Sequence, residues 1–271
     1  MSFNRLRHLG GEGGFNSGKF GRGDETPFSI AHSFSLDGIS KVFRNSANLI
    51  DINNVVSGTD HCFTFNIGCR FDTTGLLEYL FSSQGLNVSI RKTTGNIIQA
   101  ILRDSAFKSA TSTTPLNTVD WYFITITYNG LLTLGNRVNI YINAVDDTAS
   151  DNTTNTIDAG VDNYQICGKD LGADRLDGNF YYLSLLDICL TPAQITSLHN
   201  VGKPLNSQTE YGVNCKLFLT GDTSNDIEPF TLSDTTNSID FEGVGFITAD
   251  KTTDTPYYSN NDYKDNKQYS A

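Results

Sequence analysis

The sequence predicts an all-β chain, an antiparallel sandwich of jelly-roll type with one short helix and an extended arm at each end. Three observations carry this. Short apolar runs recur between turn signals at strand-like spacing. Charged residues make up 18% of the 271 positions and apolar ones 38%, enough for a core and too little periodic charge for coiled coil or long surface helices. Of the 30 acidic residues 24 are aspartate, the carboxylate that suits turns and caps. One domain with arms accommodates this length.

Residues 1–26 read as a glycine-rich basic arm, RLRHLGGEGGFNSGKFGRGDE, in which Arg5, Arg7, Lys19 and Arg22 stand against a net charge of −11 for the whole chain. An acidic body repels phosphate, so nucleic-acid binding is disfavoured. Docking of the arm onto an acidic neighbouring subunit is expected instead, with glycine letting the backbone lie close.

Residues 27–202 hold the sandwich. FSIAHSFSL, HCFTFNIGCRF, LLEYLFSS, LNVSIRK, NIIQAILR, WYFITITY, RVNIYINAV and FYYLSLLDICL read as eight strands. In WYFITITY, Tyr122, Ile124, Ile126 and Tyr128 share one face and Thr125 and Thr127 the other, with the turn pair Asn129-Gly130 following. That is the pattern of a half-buried strand. Residues 149–163 are polar and turn-rich, an exposed loop.

The stretch 177–202, DGNFYYLSLLDICLTPAQITSLHNVG, ends in a helix signal. Thr191 and Gln194 form a T-x-x-Q capping box, Pro192 takes the first helical position, Ile195 and Leu198 lie one turn apart, and Gly202 is the expected stop. Residues 203–247, with VNCKLFLTG and SIDFEGVGFI, read as strands returning to the sheets or as a small β appendage; 248–271 form a polar tail.

The first residues contain no apolar run of signal-peptide length, and no stretch approaches the roughly 18 apolar residues of a membrane-spanning helix. A chain that is not Sec-exported and not membrane-inserted is expected. Cys62, Cys69, Cys167, Cys189 and Cys215 are odd in number, widely spaced and without a CxxC, so buried free thiols are the reading preferred to a disulfide framework or zinc site.

Gly178, Phe180, Leu183, Leu185, Leu190-Thr191 and Ile195 match the closing signature of laminin-G-like domains. FSLDG (34–38), CFTFNIGCRF (62–71), WYFITITYNG (121–130), RVNIYINAV (137–145) and ICGKD (166–170) fall in the order of the other strands of that family. Over roughly residues 28–202 the chain therefore resembles the laminin-G-like, concanavalin A-like jelly-roll domains. Tyr181 and Tyr182 replace an acidic pair of the family pattern, and Ala144 replaces the glycine of its N-G turn.

The resemblance implies a fold shared by lectins, glycanases, adhesion modules and viral coat parts, so function must come from the residues. Retaining glycanases need two carboxylates about 5 Å apart. None of the six glutamates stands in an E-x-D-x-x-E strand, and Glu78 is alone in LLEYLF, so no enzyme is expected. His8, His32, His61 and His199 lack metal-site pairing or a nucleophile partner.

No cofactor is required, and calcium is the candidate ion. Laminin-G-like domains often bind it at the sandwich rim, and Asp170, Asp174 and Asp177 converge in one loop, unless they cap turns beside the neutralising Lys169 and Arg175. A carbohydrate site would draw on Tyr181 and Tyr182 as an aromatic platform with Asn152 and Asn155 as amide partners; the alternative is that the tyrosines pack.

The resemblance to a laminin-G-like body, with no export signal, Ser/Thr/Asn/Asp richness and no catalytic carboxylate pair, leads to an expectation of a structural protein of a phage-like virion: a capsid decoration, head fibre or tail part. It would be made in the host cytoplasm and sit on the particle surface, docked to other virion proteins and to copies of itself. The alternative is a carbohydrate-binding module for host-surface glycans, with or without calcium. Any ligand is expected at the 168–177 loop.

Overall fold

The computed structural model describes residues 30–45, 50–56, 58–83, 85–102, 108–157, 163–169, 174–224, 230–234 and 239–256. The first strands in chain order are β1 (Ser33–Asp37), β2 (Val42–Arg44), β3 (Gly58–Thr59), β4 (Cys62–Phe71), β5 (Glu78–Ser83), β6 (Val88–Lys92), β7 (Ile98–Leu102) and β8 (Ser109–Ser112). Then come β9 (Tyr122–Asn129), β10 (Val138–Ile142), β11 (Val145–Asp146), β12 (Thr148–Asp151), β13 (Thr156–Ile157), β14 (Tyr164–Ile166) and β15 (Asp177–Leu186). The last are β16 (Cys215–Thr220), β17 (Thr231–Asp234), β18 (Ile239–Val244) and β19 (Lys251–Thr252). Three short helices, α1 (Ile50–Val56), α2 (Pro192–His199) and α3 (Ser207–Tyr211), join them where one was expected.

Two antiparallel sheets face each other. The first runs β11-β10-β9-β4-β15-β1-β19, with β16 beside the second half of β15. The second runs β12-β8-β7-β6-β5-β14-β2-β18-β17, and β3 pairs with β13 separately. The segment after 203 thus supplies β16 and β19 to the first sheet and β17 and β18 to the second.

Alternation builds the core. Phe65 and Ile67 of β4, Leu183 and Leu185 of β15, and Ile124 and Ile126 of β9 face Phe81, Ile90, Ile98 and Ala100 across the gap, all fully buried. Phe34 meets Phe43 edge-on at 4.9 Å and Phe65 lies 4.8 Å from Phe81, aromatic pairs that join one sheet to the other.

The outer face of the first sheet is buried as well. Ile195 and Leu198 of α2, with Leu190 and Phe218, cover Phe123, Tyr181 and Tyr182. Thr125 and Thr127 are therefore buried, where a half-exposed strand was expected. Thr125 donates to Asn66 at 2.8 Å, and Asn66 donates to Ser184 at 2.9 Å.

The α2 cap forms as the sequence reads: Thr191 and Gln194 satisfy each other's backbone N–H, and Pro192 opens the helix. The helix stops two residues earlier than expected, at Asn200, whose φ of 46° is the left-handed C-cap geometry that asparagine tolerates. His199 lies under the same cover, its ring 5.7 Å from Phe123, and burial brings its pKa down to about 4.

The cysteines are a correction. Cys62, at the start of β4, is joined by a disulfide to Cys189, just after β15, with the Cα atoms 5.3 Å apart. Cys69, Cys167 and Cys215 are free and buried. The odd count concealed one pair that the β4–β15 ladder brings together across 127 residues.

Candidate functional site

The second sheet turns a polar face outward. Its inward residues are apolar, so alternation puts their neighbours on the opposite side. The register aligns Ser150, Thr111, Gln99, Arg91 and Tyr79 across β12, β8, β7, β6 and β5. A second row runs from Ser89 and Ser82 through Gln165 to Arg44 and Glu242. Ser89, Ser82, Gln165 and Tyr79 are buried, Arg91, Gln99 and Thr111 half-buried, and Arg44, Ser150 and Glu242 exposed.

Arg91 is the best-anchored group in it. Its Nε and Nη2 donate to Gln99 Oε1 at 2.8 and 2.6 Å, and its Nη1 donates to Tyr79 Oη at 2.8 Å. The guanidinium carbon stands 5.5 Å from the Tyr79 ring centre, a cation–π contact. Gln99 Nε2 in turn donates to Ser109 Oγ at 3.1 Å. A guanidinium has five N–H donors, so two remain for acceptors brought from outside.

Two further cations flank Tyr79, Lys169, which is ion-paired with Asp174, and Arg175. Lys169 Nζ lies 5.4 Å from the same Tyr79 ring, and Arg175 is bridged to Tyr79 through the backbone. Burial, and then the like charge of Arg44, draws the Arg175 pKa down. Arg175 is 8% exposed, and its Nε has no hydrogen-bond partner among the described residues.

Beneath the strip, Glu78 and Lys92 form an ion pair at 2.8 Å with each side chain 1% exposed. They are register partners one residue from the Tyr79–Arg91 pair. Glu78 Oε1 accepts from Thr73 Oγ1 at 2.7 Å and from the Asp177 N–H at 3.2 Å; burial raises its pKa. A second carboxylate facing substrate is not what this glutamate meets; its partner is a lysine in the core.

The expected carbohydrate residues are not brought together. A β-bulge between Phe180 and Tyr182 puts Tyr181 and Tyr182 both on the outer face of the first sheet, under α2, at 2% and 0% exposure. No aromatic platform results. The Tyr181 ring fills the space above Gly68, where any Cβ would overlap it, and Tyr182 Oη bonds Ser207 at 2.6 Å and Leu205 O at 3.0 Å. Asn152 lies on the other sheet, exposed at the end of the polar strip, its Oδ1 accepting from the Ser109 N–H at 2.7 Å. Asn155 is tied to Asp60 by its carbonyl at 2.9 Å.

The expected metal loop is not assembled either. Asp174 pairs with Lys169 at 2.5 Å, while Asp177 sits in β15 opposite Asp37, and Asp170 lies outside the described residues. Among the described residues no group of three or more His, Cys, Asp or Glu side chains is placed to hold a metal ion. The arm residues Arg5, Arg7, Lys19 and Arg22 also lie outside them. No helix of the described residues is long and apolar enough to cross a membrane.

The strip escaped the sequence reading because no motif marks it. Its signal is the alternation itself: Val88 and Ile90 point inward in LNVSIRK, so Ser89 and Arg91 point out, and Gln99 does the same between Ile98 and Ala100.

The family model described as "Concanavalin A-like lectin/glucanases superfamily" matches residues 46–196, more than half of the chain. No curated protein sequence matches. Among solved structures, a candidate carbohydrate-binding protein from Bacteroides ovatus superposes with a TM-score of 0.57 at 13% identity, over 80% of this chain and 59% of that one. The chain thus spans under two thirds of that protein. The Ruminococcus gnavus IT-sialidase CBM40 bound to α2,3-sialyllactose gives a TM-score of 0.48 at 11% identity, over 63% of this chain and 98% of that one. The SAP-like pentraxin of Limulus polyphemus gives 0.45 at 14% identity, over 62% and 82%.

Proposed function

Because the chain belongs to the concanavalin A-like lectin/glucanases superfamily, we propose that it is a glycan-binding module whose ligand lies along the polar strip of the second sheet. The observation that carries this is Arg91: three hydrogen bonds to Tyr79 and Gln99 fix its guanidinium and leave two donors for ligand oxygens. A donor held in place before the ligand arrives loses little freedom on binding. Gln99, Thr111 and Ser150 extend the row with amide and hydroxyl groups that match sugar hydroxyls, and the second row ends on the oppositely charged Arg44 and Glu242. The carbohydrate-binding designation of the Bacteroides ovatus protein agrees with this reading.

Binding proceeds without calcium, since the strip's ligating groups are arginine, amide and hydroxyl, and without bond cleavage. Anchoring to a phage-like particle through terminal arms is a reading that rests largely on residues outside the described set. Glycan binding rests on placed side chains and is the function proposed.

A glycan array probed with the full chain tests it. Retained glycans should stay bound when a calcium chelator is added, and Arg91→Ala should weaken them by about tenfold or more, the cost of removing a charged hydrogen-bond donor. An array without hits, or hits indifferent to Arg91→Ala, refutes the proposal.

A further inference from the structure

A second concave site lies at the edge of the sandwich, built from chain outside the 46–196 span. It is a cavity of about 440 Å³ lined by His32, Asp222, Ser224, Phe230, Thr248 and Lys251. That volume is within the range of small-molecule sites. His32 precedes β1, and Asp222 lies in the turn that follows β16; Gly221 makes their approach possible, because a Cβ there would overlap the His32 carbonyl.

The wall is organised around one imidazole. Asp222 Oδ1 lies 2.6 Å from His32 Nδ1, and Asp222 Oδ2 accepts from the Ala31 N–H at 2.7 Å. A carboxylate fixed by backbone and bonded to Nδ1 orients the ring and sets its tautomer, leaving Nε2 as the ring's remaining polar atom. Ser224 and Thr248 add hydroxyls, and Phe230, 1% exposed, backs the lining. The wall carries both signs of charge, Asp222 against Lys251, and so does not select for either.

We propose that this cavity binds a neutral, hydroxyl-rich ring of about the size of one sugar unit, with His32 Nε2 bonding a ligand hydroxyl. Imidazole, hydroxyls and both signs of charge on one wall match a ring that carries several O–H groups. The site stands apart from the polar strip and does not depend on it.

Histidine-ring NMR of the full chain, titrated with methyl β-glucoside, methyl β-galactoside and myo-inositol, is the test, with glucuronate and glucosamine as charged comparisons. A neutral probe should shift the His32 ring signals saturably while those of His61 and His199 stay in place. Asp222→Asn should weaken that response by about fivefold or more, the value of one well-oriented hydrogen bond, with the amide spectrum showing an intact fold. His32→Gln should abolish binding, and Arg91→Ala should leave it unchanged, which separates this site from the strip. Failure of every neutral probe to give a saturable shift, a response to charged probes alone, or indifference to Asp222→Asn overturns the proposal.

Discussion

Replacing Lys92 by methionine removes one half of an ion pair that is 1% exposed on both sides. At 2.8 Å and an effective dielectric near 20, the pair's attraction is about 6 kcal/mol, and it offsets the cost of drying two charges. Without the lysine, Glu78 keeps its bonds to Thr73 and Asp177 but must lie buried unpaired or take up a proton. Lys92→Met should therefore cost about 3–5 kcal/mol in urea unfolding at pH 7. Glu78 already has a pKa raised by burial, and losing Lys92 raises it further. A carboxyl whose folded pKa exceeds its unfolded value of 4.5 binds more protons when folded. The variant's deficit should therefore be small at pH 4 and grow as pH rises above that value. The double variant Glu78→Gln with Lys92→Met should recover most of the loss. A single variant within about 1 kcal/mol of wild type, or a double variant no better than the single, refutes the reasoning.

Burial brings the His199 pKa to about 4 against 6.5 when free, so the unfolded chain binds the extra proton first as pH falls. Unfolding free energy should drop between pH 6.5 and 4 by up to about 3 kcal/mol, and His199→Phe should flatten that part of the curve; an unaltered slope contradicts the assignment. Asn143 and Ala144 both have positive φ, 51° and 65°, in the turn between β10 and β11. Ala144→Gly should stabilise the protein by about 0.5–1 kcal/mol by thermal unfolding, and destabilisation would mean that the Ala144 methyl's packing outweighs the strain.

What the sequence made legible was local. The α2 capping box needs only residues three apart, and Thr191, Pro192 and Gln194 state it without help from the fold. Period-two alternation likewise marked β9. Which faces stay wet was not legible, because that depends on distant chain: Thr125 and Thr127 are dry under the cluster that α2 forms with Leu190 and Phe218. The tyrosine pair misled for a related reason. A bulge puts Tyr181 and Tyr182 on one face, as a platform needs, but α2, Leu190 and Phe218 cover that face, and no residue beside the pair announces the cover. Cys62 with Cys189, and His32 with Asp222, are partners only because sheet topology joins segments far apart in sequence.

The described chain enters and leaves the sandwich side by side. Ser33 pairs with Thr252 where β1 meets β19, and Thr255 Oγ1 donates to the Ile30 carbonyl at 3.3 Å. Two ends that meet at one spot make the unit portable: it can be spliced into a loop of another protein without prising that loop open. The polar strip lies on the other sheet, so a host gripping those two strands would leave it turned outward. Evolution or an engineer could thus move this polar surface between scaffolds as a single insert.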